Sequence, residues 1–455
     1  MKNTTRNLVA YNSRKNMRPQ CGRPRPQQCS ISNRSQLLQH LLPFHVAAPG
    51  DGRTPSESSS ALKLVFNRPL RSALTALALF ACANMSALAQ ENIAINVDYT
   101  PGREKPVPLS ISGFSGEAEE VIKFDLTVQG FTFTSSEQPQ YLLSGSVNGN
   151  LVGRAQDRIN RNYVVNKSYA GGSTRRQAHA FVDDFLAALG RKGIGSTKIA
   201  FKKNTDANSE ICVADFDGGS VQTVTSDNSI VISPSWVPGR MALCYTSYRN
   251  GAPDIYQHDL SSGHRTPVAR YPGSNLSPAV SPDGKRVAMI LSRSGTVDLY
   301  VGDIDGGNLK RLTKSREDES SPCWSADGQW ICFAGKKDER RSLWKVSASG
   351  GEPVRIATGV SNPSEPDWSP DGKWIVFTSQ RGGGFDVCVV PAGGGTATVL
   401  VEGEDPSWSP NSRTVVYVRR DGQGGKRLSM LDVPTKQTKT VSRISGKNSQ
   451  PSWAK

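Results

Sequence analysis

The residues with the most obvious chemistry to offer are paired carboxylates beside glycines. Asp215-Phe-Asp217-Gly218-Gly219 and Asp303-Ile-Asp305-Gly306-Gly307 both open like a calcium-binding loop. Such a loop closes with a bidentate glutamate at its twelfth position, and neither segment has one there. Both fall at the same place in a repeat described below, so they read as hairpin turns and no metal is expected. Past residue 90 the histidines are His179, His258 and His264; none stands beside an obvious nucleophile, and no Gly-x-Ser-x-Gly elbow occurs. The glycine runs at 382–384, 393–395 and 422–425 are followed by neither a helical pattern nor a Lys-Ser/Thr pair, so they do not cradle phosphate. Cys212, Cys244, Cys323, Cys332 and Cys388 show no Cys-x-x-Cys spacing. Cys244 and Cys332 share one apolar slot of the repeat and read as small core residues. An odd count excludes full pairing within one chain, and the sequence leaves open whether Cys323 and Cys332 are joined. No catalytic constellation, metal or cofactor is expected, and the chain reads as a binding protein rather than an enzyme.

Charge distribution narrows the partner class. The formal net charge of the 455 residues is +15, but residues 1–60 hold 9 Lys/Arg against 2 Asp/Glu, and residues 61–89 hold 3 against none. Over residues 90–455 there are 43 basic and 38 acidic groups, a net of +5, so nothing suggests nucleic acid as a ligand. No stretch reaches the roughly 18 apolar residues of a membrane span. Lys63, Arg68 and Arg71 precede an apolar run from Ser72 to Ala83, and Ala87-Leu88-Ala89 fits a small-x-small cleavage site before Gln90. Residues 63–89 therefore read as a secretory signal peptide, and residues 1–62 as a disordered basic extension or a start-site artefact.

From residue 198 onward a repeat dominates. Ser-Pro-Ser-Trp236, Ser-Pro-Ala-Val280, Ser-Pro-Cys-Trp324, Glu-Pro-Asp-Trp368, Asp-Pro-Ser-Trp408 and Gln-Pro-Ser-Trp453 place their prolines at 234, 278, 322, 366, 406 and 451. Intervals of 44, 44, 44, 40 and 45 residues suit a four-stranded propeller blade. A turn of the Ser-Pro-Asp283-Gly284 type follows most copies and joins the first strand to an apolar second one such as Trp374-Ile-Val-Phe377. The recurring tryptophans read as inter-blade packing. Residues 198–224 contain strands two to four of a blade without a first strand, and residues 450–455 are a first strand with no blade after it. Joined, they close a six-bladed ring over residues 197–455.

Residues 90–196 lack the repeat and read as a small α/β domain. Strands are expected at 93–97, 107–111, 141–147 and around Tyr163. A helix is expected from Ser173 to Leu189, with Ala178, Phe181 and Phe185 on one face and Gly190 stopping it. The predicted class is thus mainly β, a six-bladed β-propeller with a small N-terminal α/β domain.

The order signal peptide, α/β domain, six blades resembles the TolB family of the periplasmic Tol-Pal system. The junction carries the resemblance: Asn166-Lys167-Ser168-Tyr169, a helix with His179 and Asp184, then Lys192-Gly193-Ile194-Gly195-Ser196-Thr197-Lys198-Ile199-Ala200-Phe201. The resemblance implies a non-catalytic periplasmic adaptor, peripheral to the membrane, between inner-membrane Tol proteins and a peptidoglycan-associated lipoprotein, supporting outer-membrane integrity and division. It implies that loops just before the Pro-x-Trp strands line the channel mouth and bind that lipoprotein. The matching positions are Ser274, Asn275, Leu276 and Ser277, then Ser320 and Ser321, and Glu365, Asp405 and Gln450. Family members carry larger polar groups where this chain has serine, so a divergent propeller binding another envelope protein or a cell-wall glycan is the alternative. The family's extreme N-terminal segment contacts the inner-membrane partner; residues 91–100 match it by position.

Overall fold

The computed structural model describes residues 99–455 apart from 136, 137, 206, 316, 338, 339 and 423. All of them belong to one compact unit, 92–455. The basic extension, the signal peptide and the expected strand at 93–97 lie outside the described residues.

The α/β part has strands β1 (Val107–Ser112), β2 (Phe131–Phe133), β3 (Tyr141–Asn148), β4 (Asn150–Asp157) and β5 (Tyr163–Tyr169), with helices α1 (Gly116–Thr127) and α2 (Thr174–Ala188). The sheet order is β2-β1-β3-β4-β5, β1 pairing parallel with both β2 and β3. Parallel neighbours need a crossover, which α1 supplies between β1 and β2. Ala118, Val121, Ile122 and Leu126 of α1 and Phe181, Val182, Phe185 and Leu186 of α2 are buried in one core with Leu109, Leu143, Leu151 and Ala155 of the sheet. The Ser173 hydroxyl caps α2 by accepting from the Arg176 N–H. Helix α1 and strands β2 and β4 were not anticipated from sequence.

The propeller comprises six four-stranded antiparallel sheets. Its innermost strands are β9 (Val231–Trp236), β13 (Asn275–Val280), β17 (Glu319–Trp324), β21 (Pro363–Trp368), β25 (Glu404–Trp408) and β29 (Lys447–Trp453). The first five begin the blades β9–β12, β13–β16, β17–β20, β21–β24 and β25–β28. Strand β29 completes the sixth, in the order β29-β6-β7-β8, with β6 at Lys198–Asn204, β7 at Ser209–Asp215 and β8 at Gln222–Thr223. Lys447 pairs with Asn204 and Trp453 with Ile199, so the expected closure is present.

The repeat motif has two local jobs. In Ser281-Pro-Asp283-Gly284 the serine hydroxyl accepts from the Arg286 N–H at 2.9 Å, while Asp283 accepts from the Lys285 N–H at 3.1 Å. Gly284 sits at φ +68°, where a side chain would be strained. Two of the tryptophans tie blades together by hydrogen bonds: the Trp236 indole donates to the Ser452 carbonyl at 3.1 Å, and that of Trp324 to the Ala279 carbonyl at 2.8 Å. The two aspartate pairs are turns, as expected: Gly218 N–H donates to Asp215 O, and Gly306 N–H to Asp303 O.

Candidate functional site: the channel wall

The innermost strand of every blade is a sheet edge, so its outward N–H groups have no neighbouring strand. All six strands break register at the same place. Ser233-Pro234, Ser277-Pro278, Ser321-Pro322, Glu365-Pro366, Asp405-Pro406 and Gln450-Pro451 each set two residues against one: Tyr245, Met289, Phe333, Phe377, Tyr417 and Phe201 respectively. This is a β-bulge repeated six times. Its first residue has φ between 49° and 56° in all six copies. Proline at the second position removes one edge donor outright. The bulges and the residues after them surround a channel of about 450 Å³.

Side chains cap the remaining donors, but only part of the way round. At the level of the bulge, Glu365 Oε2 accepts from Asp405 N–H at 3.1 Å, Asp405 Oδ2 from Gln450 N–H at 2.9 Å, and Gln450 Oε1 from Ser233 N–H at 3.0 Å. Each acceptor thus reaches the next blade. Three residues further along the strands a second tier repeats the device. Ser235 Oγ accepts from Val280 N–H at 3.1 Å, Asp367 Oδ2 from Trp408 N–H at 2.7 Å, and Ser407 Oγ from Trp453 N–H at 3.2 Å. Burial, together with the neighbouring Glu365 carboxylate, pushes the Asp405 carboxyl well above its usual range. Lys455 Nζ lies 2.5 Å from Asp367 Oδ1.

Of the nine anticipated residues, Ser277, Ser321, Glu365, Asp405 and Gln450 line the channel. They are not in loops: the bulge lets the innermost strand run through them, and Ser274 alone of the nine precedes its strand. Asn275 is fully buried; its amide donates to the Pro253 and Tyr271 carbonyls at 3.0 and 2.9 Å and its Oδ1 accepts from Tyr271 N–H at 3.1 Å. That makes it a brace for the connection into β13 rather than a contact residue. Leu276 and Ser320 are half-buried in β13 and β17 outside the lining. Ser233 was missed although it precedes Pro234 just as the others precede theirs; Ser235, Asp367 and Ser407, each following its proline, were missed as well.

A second polar constellation joins the α/β part to the ring. Helix α2 aligns Arg175, His179 and Asp183 on one face at a four-residue spacing. His179 Nδ1 lies 2.6 Å from Asp125 Oδ2 of α1, and its Nε2 lies 3.7 Å from Asp217 Oδ2 in the β7–β8 turn. Arg175 pairs with Asp217 and approaches Asp215 at 3.9 Å. The His179 ring packs on Phe216 at 5.5 Å between centroids, and Phe216 stacks on Trp453 at 6.0 Å. Burial raises the Asp125 carboxyl, against the opposing pull of His179, and pushes Asp183 up to about 6. Gly195 leaves room for this packing: a Cβ there would lie 2.8 Å from both His179 Cβ and Asp183 Oδ2. Among the described residues no group of three or more His, Cys, Asp or Glu side chains is placed to hold a metal. Cys323 and Cys332 face each other in register as free thiols.

A channel walled by six edge strands defines the class, a closed six-bladed propeller whose axis is lined by backbone donors. The family model for the TolB beta propeller domain matches residues 186–455, and the chain belongs to that family. Relatives include the Tol-Pal system protein TolB of Polaromonas naphthalenivorans, 32% identical over 241 residues, covering 45% of this chain and 55% of that protein. The protein of the same name from Anaeromyxobacter sp. strain K is 28% identical over 260 residues, covering 48% and 59%. The matched stretch thus spans a little over half the length of these relatives. The crystal structure of TolB from Acinetobacter baumannii superposes with a TM-score of 0.70 at 24% identity over 78% of this chain and 98% of its own, a likeness of fold.

Proposed function

We propose that the protein is a non-catalytic periplasmic scaffold of a Tol-Pal system, binding a peptidoglycan-associated lipoprotein at the propeller channel and serving outer-membrane integrity and cell division. The channel wall carries this reading: donors from six blades converge on one axis, which suits recognition of a protein segment by many moderate contacts. Its acidic groups are tied into caps rather than presented beside a nucleophile, and His179 is committed to the seam with Asp125. The N-terminal segment is proposed to meet an inner-membrane Tol protein. Residues 99–104 lie along the propeller, Tyr99 donating to the Ser412 carbonyl at 2.6 Å and Glu104 N–H to the Pro434 carbonyl at 3.0 Å.

The test is titration calorimetry of the protein beginning near Gln90 against the purified lipoprotein of its own organism. Saturable one-to-one binding is expected. No heat with that lipoprotein, alongside saturable binding of a peptidoglycan fragment, would overturn the partner in favour of a glycan ligand.

A further inference from the structure

Each capping tier is incomplete, and the gaps coincide on two neighbouring blades, those of β17 and β21. At the bulge level the caps serve Asp405, Gln450 and Ser233; among the described residues no side chain caps the equivalent N–H of Ser277, Ser321 or Glu365. In the second tier the caps serve Val280, Trp408 and Trp453, and among the described residues the equivalent N–H groups of Trp236, Trp324 and Trp368 have none. The reason is side-chain length and chemistry. At the bulge level the capping positions hold Ser233, Ser277 and Ser321 where the capped half holds the longer Glu365, Asp405 and Gln450; in the second tier Ala279 carries no acceptor and Cys323 only a thiol, a weak one. One strip of wall, at Ser321, Trp324, Glu365 and Trp368, therefore presents edge donors in both tiers to the open channel, where every other blade is capped in at least one tier.

The complete half shows what the open half takes. Its caps are a carboxamide, two hydroxyls and three carboxyl groups. The strip is bordered by the acidic side chains of Glu365 and, one blade on, Asp405, while Asp367 is paired with Lys455; a carboxylate entering beside Glu365 meets like charge, whereas a carboxamide supplies the same oxygen without it. We propose that this strip is a docking subsite for a neutral amide acceptor, the side chain of an Asn or Gln on the bound partner, its oxygen accepting from one or two of the Ser321, Glu365, Trp324 and Trp368 N–H groups as Gln450 accepts from Ser233. The proposal rests on the channel being the partner site and adds the chemistry by which it selects.

Two measurements test it. In amide-resolved NMR, acetamide is titrated against the protein with sodium acetate as the comparison. Saturating shifts at the Ser321, Glu365, Trp324 and Trp368 amides with acetamide, several-fold weaker with acetate, are expected; equal response to both, or none at these amides, overturns the subsite. The second uses Ser321→Gln, which installs in the open half the cap that Gln450 provides at φ +49° in the closed half. This variant should melt at or above the wild-type temperature while its acetamide response at the Glu365 amide disappears and its affinity for the lipoprotein falls at least tenfold. Wild-type binding of the lipoprotein with undiminished binding by the folded variant overturns the subsite and leaves the partner standing. Absent wild-type binding removes the partner instead, and the acetamide titration then decides the subsite alone.

Discussion

Gln450 Oε1 accepts the N–H of Ser233 at 3.0 Å, so the strand that completes the last blade also caps the edge of the first. The two residues are 217 apart in sequence. Gln450→Ala removes that acceptor and adds a fourth open donor at the bulge level. A loss of about 1 kcal/mol is expected, read as a lower urea midpoint with unchanged slope.

The rest of that strand matters more. Trp453 is 2% exposed, stacks on Phe216 and donates to Thr197 Oγ1 at 2.9 Å. Trp453→Ala should cost about 3–5 kcal/mol. Deleting residues 450–455 should abolish cooperative unfolding of the ring, because the β6 edge loses its partner. A truncated protein with the wild-type midpoint would show that closure does not hold the ring.

Asn275 distinguishes bracing from binding. Asn275→Asp sets a buried carboxylate against the Pro253 and Tyr271 carbonyls that the amide now serves. A loss of about 3 kcal/mol or more is expected in chemical denaturation. A stable variant with weakened partner binding would return Asn275 to the contact surface.

The seam rests on His179. His179→Ala leaves Asp125 buried without its partner and should cost about 3 kcal/mol. The loss should show in hydrogen exchange as deprotection of α1 and α2 ahead of the blades.

Glu319 makes stability depend on pH. Burial pushes its carboxyl up to about 7 from an ordinary 4.5, although it accepts from Leu299 N–H at 2.8 Å. The folded state holds the proton more tightly than the unfolded chain. Its contribution is therefore full below about pH 4.5 and is lost as pH rises through 7. Glu319→Gln should match wild type at pH 4 and exceed it at pH 8 by an amount on the order of 3 kcal/mol, measured by urea midpoints at the two values.

What sequence conveys here divides by range. The blade repeat was legible because its signals are local: an Asp-Gly turn, a proline that edges a strand, a tryptophan at fixed offset. Helix α1 was legible and overlooked, since Ala118, Val121, Ile122 and Leu126 have helical spacing behind Ser115. Strand β4 was obscured because Arg154 and Gly153 interrupt its alternation; Gly153 is required where a Cβ would lie 2.4 Å from the Phe181 ring. The caps were hidden for a different reason. Glu365 and Asp405 are 40 residues apart and Asp405 and Gln450 are 45 apart, one blade in each case, so period alone makes them neighbours. That the bulge turns the N–H of one toward the side chain of the other depends on a positive φ that no residue type before proline announces.

The closing blade also sets an order on folding. Strand β6 meets its inner neighbour only when Lys447, 243 residues after Asn204, is available to it. Until then the chain carries an unsatisfied strand flank, Lys198–Asn204, able to zip onto any passing β segment. Its Lys198, Lys202 and Lys203 are the kind of gatekeeper charges that discourage such mispairing until the proper strand is made.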